Sequence, residues 1–462
     1  MLLGELNLKY NEKSIDSIMK YSHGLIGKKF GEIDQYERLG EGKGKGNLGQ
    51  IVEESYFGYD INSRAEADFS HVGVELKVTP FKVNQNKTIS AKERLVLNII
   101  NYMEEYQKDF YKSSFWEKNN KLLLVFYQWK KELEKKDYVV KDIMLHEFSE
   151  EDLVVIKDDW KTIINKIKEG KAHELSEGDT NYLAACPKGA NKNSVRKQPF
   201  SEELAMQRAF SLKSSYMTSL IRKRLGVEDE EVVSILKGTK MTIEQLLESK
   251  FKVFYGKSVD EIGDDLRIDI YNGKSKLAKN HVQMLVSKIL GLTTTDLSKV
   301  DEFAKANIKF KTIRIEKNGK IKEHMSFPTF KYKEIIEEDW VNSSLRNLFE
   351  EQKYLFVVFR YDENNVLRLD KIKLWNMPIS VLDTYVKDTW EETVRVIKEG
   401  VQIEVRGNKS FDNLPGPKFN EMCHTRPHAK DSEDTYELPD GRKLVKKCFW
   451  LDKKYILSIV NS

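Results

Sequence analysis

The feature that most constrains the fold of this chain is an internal repeat. Segments of the first half recur in the second, in the same order, at an offset of about 230 to 240 residues. GKKFGEI at 27–33 matches GKSVDEI at 256–262, NLGQIVEESYFG at 47–58 matches HVQMLVSKILG at 281–291, and KLLLVFY at 121–127 matches YLFVVFR at 354–360. DDWKTIINKIKEG at 158–170 matches DTWEETVRVIKEG at 388–400, CPKGAN at 186–191 matches RPHAKD at 426–431, and FSLKSSYMTSLI at 210–221 matches FWLDKKYILSIV at 449–460. Solenoid units are far shorter than this period, so the repeat implies a duplicated domain. The matched pieces alternate between apolar strand-like runs and amphipathic helix patterns, so each copy reads as an α/β unit. The expected domains are 1–225 and 250–462, joined by a short, charged helical connector at 226–249.

Within the first copy, AEADFSHVGVELKVTPF at 65–81 carries the chemistry. Val72, Val74, Leu76 and Val78 alternate with other positions, which predicts a strand. Strand parity then puts Glu75 and Lys77 on one face and the apolar residues on the other. Asp68 lies seven residues before Glu75. Two carboxylates that can hold a hard cation, with an ammonium beside them, suit metal-assisted hydrolysis of a phosphodiester. Charged residues make up 32% of the chain, so a Glu-x-Lys triplet alone is weak; Glu248-Ser249-Lys250 is another.

The repeat supplies an internal control. Phe303 aligns with Phe69, which sets Glu302 opposite Asp68, Lys309 opposite Glu75 and Lys311 opposite Lys77, while Glu53 aligns with Val286. An ammonium in place of a ligating carboxylate repels a cation, so the second copy is expected to keep the fold and lack the chemistry.

The remaining composition sets outer limits. Net charge is +4, too mild to argue for nucleic acid without local clustering. No signal peptide and no apolar run of membrane-spanning length is visible, and the three cysteines make no disulfide framework. A reducing, cytoplasmic setting without a membrane is expected. Cys423, His424, His428 and Cys448 fit no common zinc-finger spacing, and the repeat already accounts for their segment, so no zinc site is expected there. His71 reads as a loop histidine.

The motifs GNLGQIVE, D-x6-E-x-K, AKERLVLNIINY, KLLLVFY, DDWKTIINKIKEG, GKAHELSEGDTNYLA, CPKGAN and AFSLKSSYMTS run in order over nearly all of residues 30–225. In this they resemble the MutH and Sau-type GATC endonucleases, a branch of the D…ExK nucleases. The duplicated layout resembles the Sau-type restriction enzymes in particular. The resemblance implies two tandem restriction-endonuclease-fold domains, each a mixed central sheet flanked by helices, the first catalytic and the second an inactive DNA-binding effector. It implies Mg²⁺ held by Asp68 and Glu75, with the Leu76 carbonyl as a further ligand, and Lys77 orienting water or stabilising phosphate charge. It implies an assisting role for Glu53, with Glu54 as the alternative, and a site contact from Lys121, whose bland reading is a charge guarding a strand start. Ala67 stands where the family has proline before the aspartate.

Candidate DNA contacts are Lys43 and Lys45 in the glycine-lysine loop 41–49, and Pro187 and Lys188 in the loop that in the family enters the major groove. Cys186 stands where the family often has arginine. Lys213, in FSLKSSYMTSLIRKR, is a third candidate, and Arg426 and Pro427 form the equivalent loop of the second copy. The expected activity is Mg²⁺-dependent double-strand cleavage at GATC, before the G, leaving 5′-phosphate and 3′-hydroxyl ends. The second copy would bind another site as effector, with the chain a monomer without DNA and dimeric or looped on it. A MutH-type nicking enzyme and a non-catalytic DNA-binding regulator are the alternatives; the duplication disfavours the first, and the intact Asp68, Glu75 and Lys77 the second.

Overall fold

The computed structural model describes residues 9–40, 47–59, 66–189, 194–227, 232–271, 277–407 and 409–462. Lys43 and Lys45 lie outside the described residues. The chain divides into two compact units, Met1–Thr242 with Ala304–Ala306, and Ile243–Phe303 with Asn307–Ser462. The segment expected as a helical connector is divided between them. Its described residues 232–242 form no helix and turn at Gly238, with φ of +74°; the helix begins at Ile243 and runs to Phe251.

In the first unit, β1 (Glu75–Val83) pairs antiparallel with β2 (Ile89–Ala91). A second sheet begins with β3 (Leu95–Ile99). β4 (Lys121–Gln128) runs parallel to β1 and antiparallel to β5 (Val139–Glu147), giving the order β2-β1-β4-β5. Residues Leu122–Phe126 are all buried, as expected of a strand covered on both faces. The second sheet is completed by β6 (Leu183–Pro187) and, beyond the hairpin β7 (Val195–Gln198) and β8 (Ser201–Met206), by β9 (Arg208–Leu212), in the order β3-β9-β6. Val74, Leu76, Leu123 and Val125 share one apolar cluster with Ile51 and Val52. That packing fixes the parity of β1 and turns Glu75 and Lys77 to its other face.

The helix Glu150–Lys168 starts at Ser149, whose side chain accepts the Asp152 N–H, and carries acids in its first turn and lysines in its last. Its buried Asp159 accepts three backbone N–H groups, from Asn181 and Tyr182 at 2.6 Å and from Leu183 at 2.9 Å. This carboxylate therefore fixes the entry to β6, the strand that ends at Pro187.

The second unit repeats the plan. β10 (Ile308–Ile315) precedes β11 (Met325–Phe330); β10 runs parallel to β12 (Lys353–Tyr361), which pairs antiparallel with β13 (Leu367–Asn376). After the hairpin β14 (Ile403–Arg406) and β15 (Lys409–Asp412) comes β16 (Cys423–Pro427). After the hairpin β17 (Thr435–Glu437) and β18 (Lys443–Val445) comes β19 (Lys447–Leu451), completing a sheet ordered β11-β19-β16. The matched helical segments both end at a left-handed glycine, Gly58 with φ of 76° and Gly291 with φ of 81°. Register corrects the sequence match by one residue. Glu75 stands opposite Leu122 and Lys309 opposite Tyr354, so Tyr354 occupies the place of Leu122, not of Lys121. A one-residue slip would have turned these strands over.

The second unit holds its corresponding strand differently. Thr389 matches Asp159, and Asn420 does the capping: its Oδ1 accepts the Met422 and Cys423 N–H groups at 3.0 Å, and its Nδ2 donates to Thr389 Oγ1 at 2.8 Å. Replacing Asp159 by alanine strands three buried donors. Asp159→Ala is expected to destabilise the first unit by about 3 kcal/mol or more, and Asp159→Asn by less, because the amide keeps one acceptor oxygen. Urea denaturation monitored on the first unit's transition checks this ordering.

Candidate active site

The residues expected at the site arrive by a tight turn and a strand. Phe69 N–H donates to the Val74 carbonyl at 2.9 Å, Val74 N–H returns to Phe69 at 3.3 Å, and Gly73 takes φ of +66° between them. This turn folds Asp68 back onto the start of β1. Its Oδ2 accepts the Leu76 N–H at 2.9 Å, and its own N–H donates to Glu75 Oε2 at 3.1 Å. The chain was expected to be extended from Val72, but β1 begins only at Glu75 because the turn uses the preceding residues.

Glu75 is 2% exposed. Its Oε1 accepts Lys77 Nζ at 2.5 Å and lies 3.8 Å from Nζ of Lys118, on the helix Ser114–Asn119. Burial first, and then the Glu75 carboxylate, pushes Asp68 up to about 7 against the opposing Leu76 N–H and Lys77. Glu53 sits on the π-helical segment Ile51–Phe57. Burial raises its carboxyl pKa, the Lys77 ammonium opposes that shift, and Glu75 adds to it, which puts Glu53 in the field of the site. Glu54 turns away and pairs with Arg38 at 2.6 Å. Burial also lifts the Tyr59 hydroxyl, helped by Asp68, Glu53 and Glu75, and this buried oxygen has no hydrogen-bond partner among the described residues.

The carboxylate oxygens of Asp68 and Glu75 with the orphaned Tyr59 hydroxyl make a hard-oxygen donor set that fits a Mg²⁺-class cation. Asp68 and Glu75 are linked through the backbone, and Glu53 lies in their field. Among the described residues, only His324, His424 and Asp452 bring three candidate donor atoms within 4.8 Å of one another.

Two expected residues are placed elsewhere. Lys121 opens β4 with the parity of Leu123, on the face opposite Glu75, and its Nζ is 3.3 Å from Glu147 Oε1 on β5. Lys118, three residues earlier on a helix, brings its ammonium to Glu75 instead. Lys213 is buried and donates to the Thr180 carbonyl at 2.6 Å, so it braces the loop before β6 from within and does not face solvent. The basic end of its helix, Ser214–Arg224, is also partly engaged: Arg222 donates to the Ile89 carbonyl at 2.6 Å, and Arg224 pairs with Asp142 at 2.7 Å.

Pro187 and Lys188 are exposed at the end of β6, with the Lys188 N–H donated to the Gln207 carbonyl at 2.8 Å. Arg426 and Pro427 are exposed at the same point of β16, and the Arg426 guanidinium lies 5.5 Å from the Trp450 ring centroid. Lys309 is exposed and Lys311 half-buried on β10, where desolvation lowers the pKa of Lys311. The segment matching the Asp68 turn is a helix, Asp301–Ala306, with Glu302 buried in it.

Known proteins align with this chain on both scales. The model of the DNA mismatch repair enzyme MutH matches residues 57–159, which contain Asp68, Glu75, Lys77 and Lys118. The type II restriction enzyme Sau3AI of Staphylococcus aureus is 37% identical over 449 residues, covering 93% of this chain and 90% of that protein. The DNA mismatch repair protein MutH of Shewanella woodyi is 26% identical over 225 residues, covering 47% of this chain and 95% of that protein. A MutH of another Shewanella is 27% identical over 186 residues.

Because Asp68 is held at about 7 in the fold against 3.8 as the reference value, the metal-free fold is favoured by its proton. That stability is fully present below about pH 4 and is lost as pH rises through 7. Asp68→Asn is therefore expected to melt at a higher temperature than the parent at pH 8 without divalent cations, with the gap closing towards pH 4. Thermal melts across that range measure it.

Proposed function

The chain belongs to the MutH-like, Sau-type family of type II restriction endonucleases, and on that premise we propose that it cleaves both strands of DNA at GATC, before the G, with Mg²⁺. The observation that carries the reading is the half-buried Asp68 beside the buried Glu75, with Lys77 on Glu75 at 2.5 Å. Asp68 and Glu75 would hold the cation, with the Leu76 carbonyl as a further ligand. When bound, it would supply Lewis-acid stabilisation of the charge developing on the phosphate.

The chain's own residues do the rest. Lys77 is positioned by Glu75 to orient an attacking water or to meet the phosphate oxygens, and Lys118 adds a second positive charge from the helix side. Glu53, its pKa raised by burial, can accept or hold a proton at the edge of the site. Low exposure at Glu75 limits water and strengthens each of these interactions. Pro187 and Lys188, at the exposed end of β6, are proposed to reach base edges in the major groove, with Lys188 donating to guanine or to phosphate. Lys43 and Lys45 are proposed to contact the backbone.

The second unit, residues 250–462 in this proposal, takes the effector role. Lys309 where Glu75 stands removes the cation site, while Arg426 and Pro427 keep an exposed strand end suited to DNA. Binding a second GATC there would favour the cleaving state of the first unit by a coupling free energy, and two linked binding units can loop the DNA between sites.

Asp68→Ala and Glu75→Ala are expected to bind DNA normally and to lose cleavage by on the order of 10³-fold or more, Lys118→Ala to lose about 10–10²-fold, and Lys121→Ala to stay close to the parent. Single-turnover digestion measures these rates. Normal cutting by either carboxylate variant would sink the assignment. Plasmids with several GATC sites are expected to be cut faster than plasmids with one; equal rates would remove the effector role.

A further inference from the structure

The second unit contains a buried polar cluster that DNA cleavage does not use. His424, on β16, is fully buried, and neither of its ring nitrogens has a hydrogen-bond partner among the described residues. A neutral imidazole has one N–H and one lone pair, and burying both without partners is costly. Its ring stands edge-on to His324, with centroids 4.7 Å apart. His324 lies just before β11 and borders a cavity of about 490 Å³, lined also by Lys311, Arg314, Ser326 and Tyr361.

The third member is Asp452, 5% exposed, at the start of the last helix, Lys453–Asn461. Its Oδ1 caps that helix by accepting the Lys454 N–H at 2.7 Å, which leaves Oδ2 facing His324 Nδ1 at 3.3 Å. The same Nδ1 lies 3.2 Å from the Lys453 N–H. If the single Nδ1 lone pair accepts that N–H, Oδ2 is left 3.3 Å from a ring nitrogen that offers it no proton. If Nδ1 carries the proton instead, the Lys453 N–H loses its acceptor. A cation taking the single Nδ1 lone pair would give Oδ2 and His424 a partner, in exchange for the contact from the Lys453 N–H.

We propose that His324, His424 and Asp452 form a binding site for a Zn²⁺-class transition-metal ion in the second unit. Two imidazole nitrogens and one carboxylate oxygen suit such an ion better than Mg²⁺, which prefers oxygen throughout. The donor atoms lie within 4.8 Å of one another, and ligands of a tetrahedral zinc at about 2.1 Å stand roughly 3.4 Å apart, so small side-chain rotations close the set. The cavity beside His324 leaves room for water as a fourth ligand. Burial lowers the His424 pKa to about 4, so its ring is neutral and offers a lone pair. Arg426 and Lys453 oppose the cation; the Arg426 head is drawn onto the Trp450 ring, and Lys453 Nζ lies 3.4 Å from the Lys322 carbonyl. The ion would tie together the entry to β11, strand β16 and the last helix, and so steady the strand that ends at Arg426 and Pro427.

The test uses full-length Asp68→Ala protein, so that the oxygen-donor pair of the first unit cannot contribute. The protein is stripped with a chelator, desalted and titrated with Zn²⁺ alone in competition with a chromophoric chelator. One tightly bound zinc per chain is expected, with affinity lowered at least about 100-fold by a further His324→Ala or Asp452→Asn. His324→Cys should retain the ion, because thiolate also ligates zinc, whereas a purely structural histidine would give no such rescue. Absence of tight zinc in the Asp68→Ala protein, or equal uptake after His324→Ala, would overturn the site. Neither outcome bears on DNA cleavage by the first unit.

Discussion

The first unit is organised around a desolvated carboxylate pair that the backbone itself holds in place. Asp68 and Glu75 are brought together by one turn and interlocked through two main-chain N–H groups, at 2.9 Å and 3.1 Å. Without a cation the arrangement is a standing electrostatic cost, visible in Asp68 being held at about 7. The surroundings can sustain that cost because Val74 and Leu76, on the other face of the same segment, are packed into an apolar cluster of the first unit. Burial on one face is what allows strain on the other.

The duplication separates these two contributions. The second unit keeps the parallel β10–β12 pair, the β11-β19-β16 sheet and the glycine-ended helix, retains a lysine, Lys311, opposite Lys77, and carries Lys309 in place of Glu75. It also reaches the same backbone solution with different chemistry, since Asn420 caps the strand that Asp159 caps in the first unit. The packing pattern is thus kept while the site chemistry differs between the two copies.

The strand period and the short Asp68–Glu75 spacing made the central pair legible in the sequence, because both are local. Parity made Lys121 misleading: it opens the correct strand but faces Glu147, while the ammonium that approaches Glu75 comes from Lys118 on a helix whose orientation no local pattern reveals. Lys213 looked like a phosphate contact because lysines usually reach solvent, yet a carbonyl at 2.6 Å holds it inside. Charge and the lack of proline point to a helical connector, whereas the described residues 232–242 form no helix and turn at Gly238. His324, His424 and Asp452 come from three distant segments, so only the fold brings them together.

The most direct test of the central claim is digestion of plasmid DNA with Mg²⁺, followed by sequencing of the product ends. Mg²⁺-dependent double-strand breaks are expected, with 5′-phosphorylated ends that all begin with GATC. Ends distributed over other sequences, nicks confined to one strand, or no Mg²⁺-dependent cleavage would contradict it.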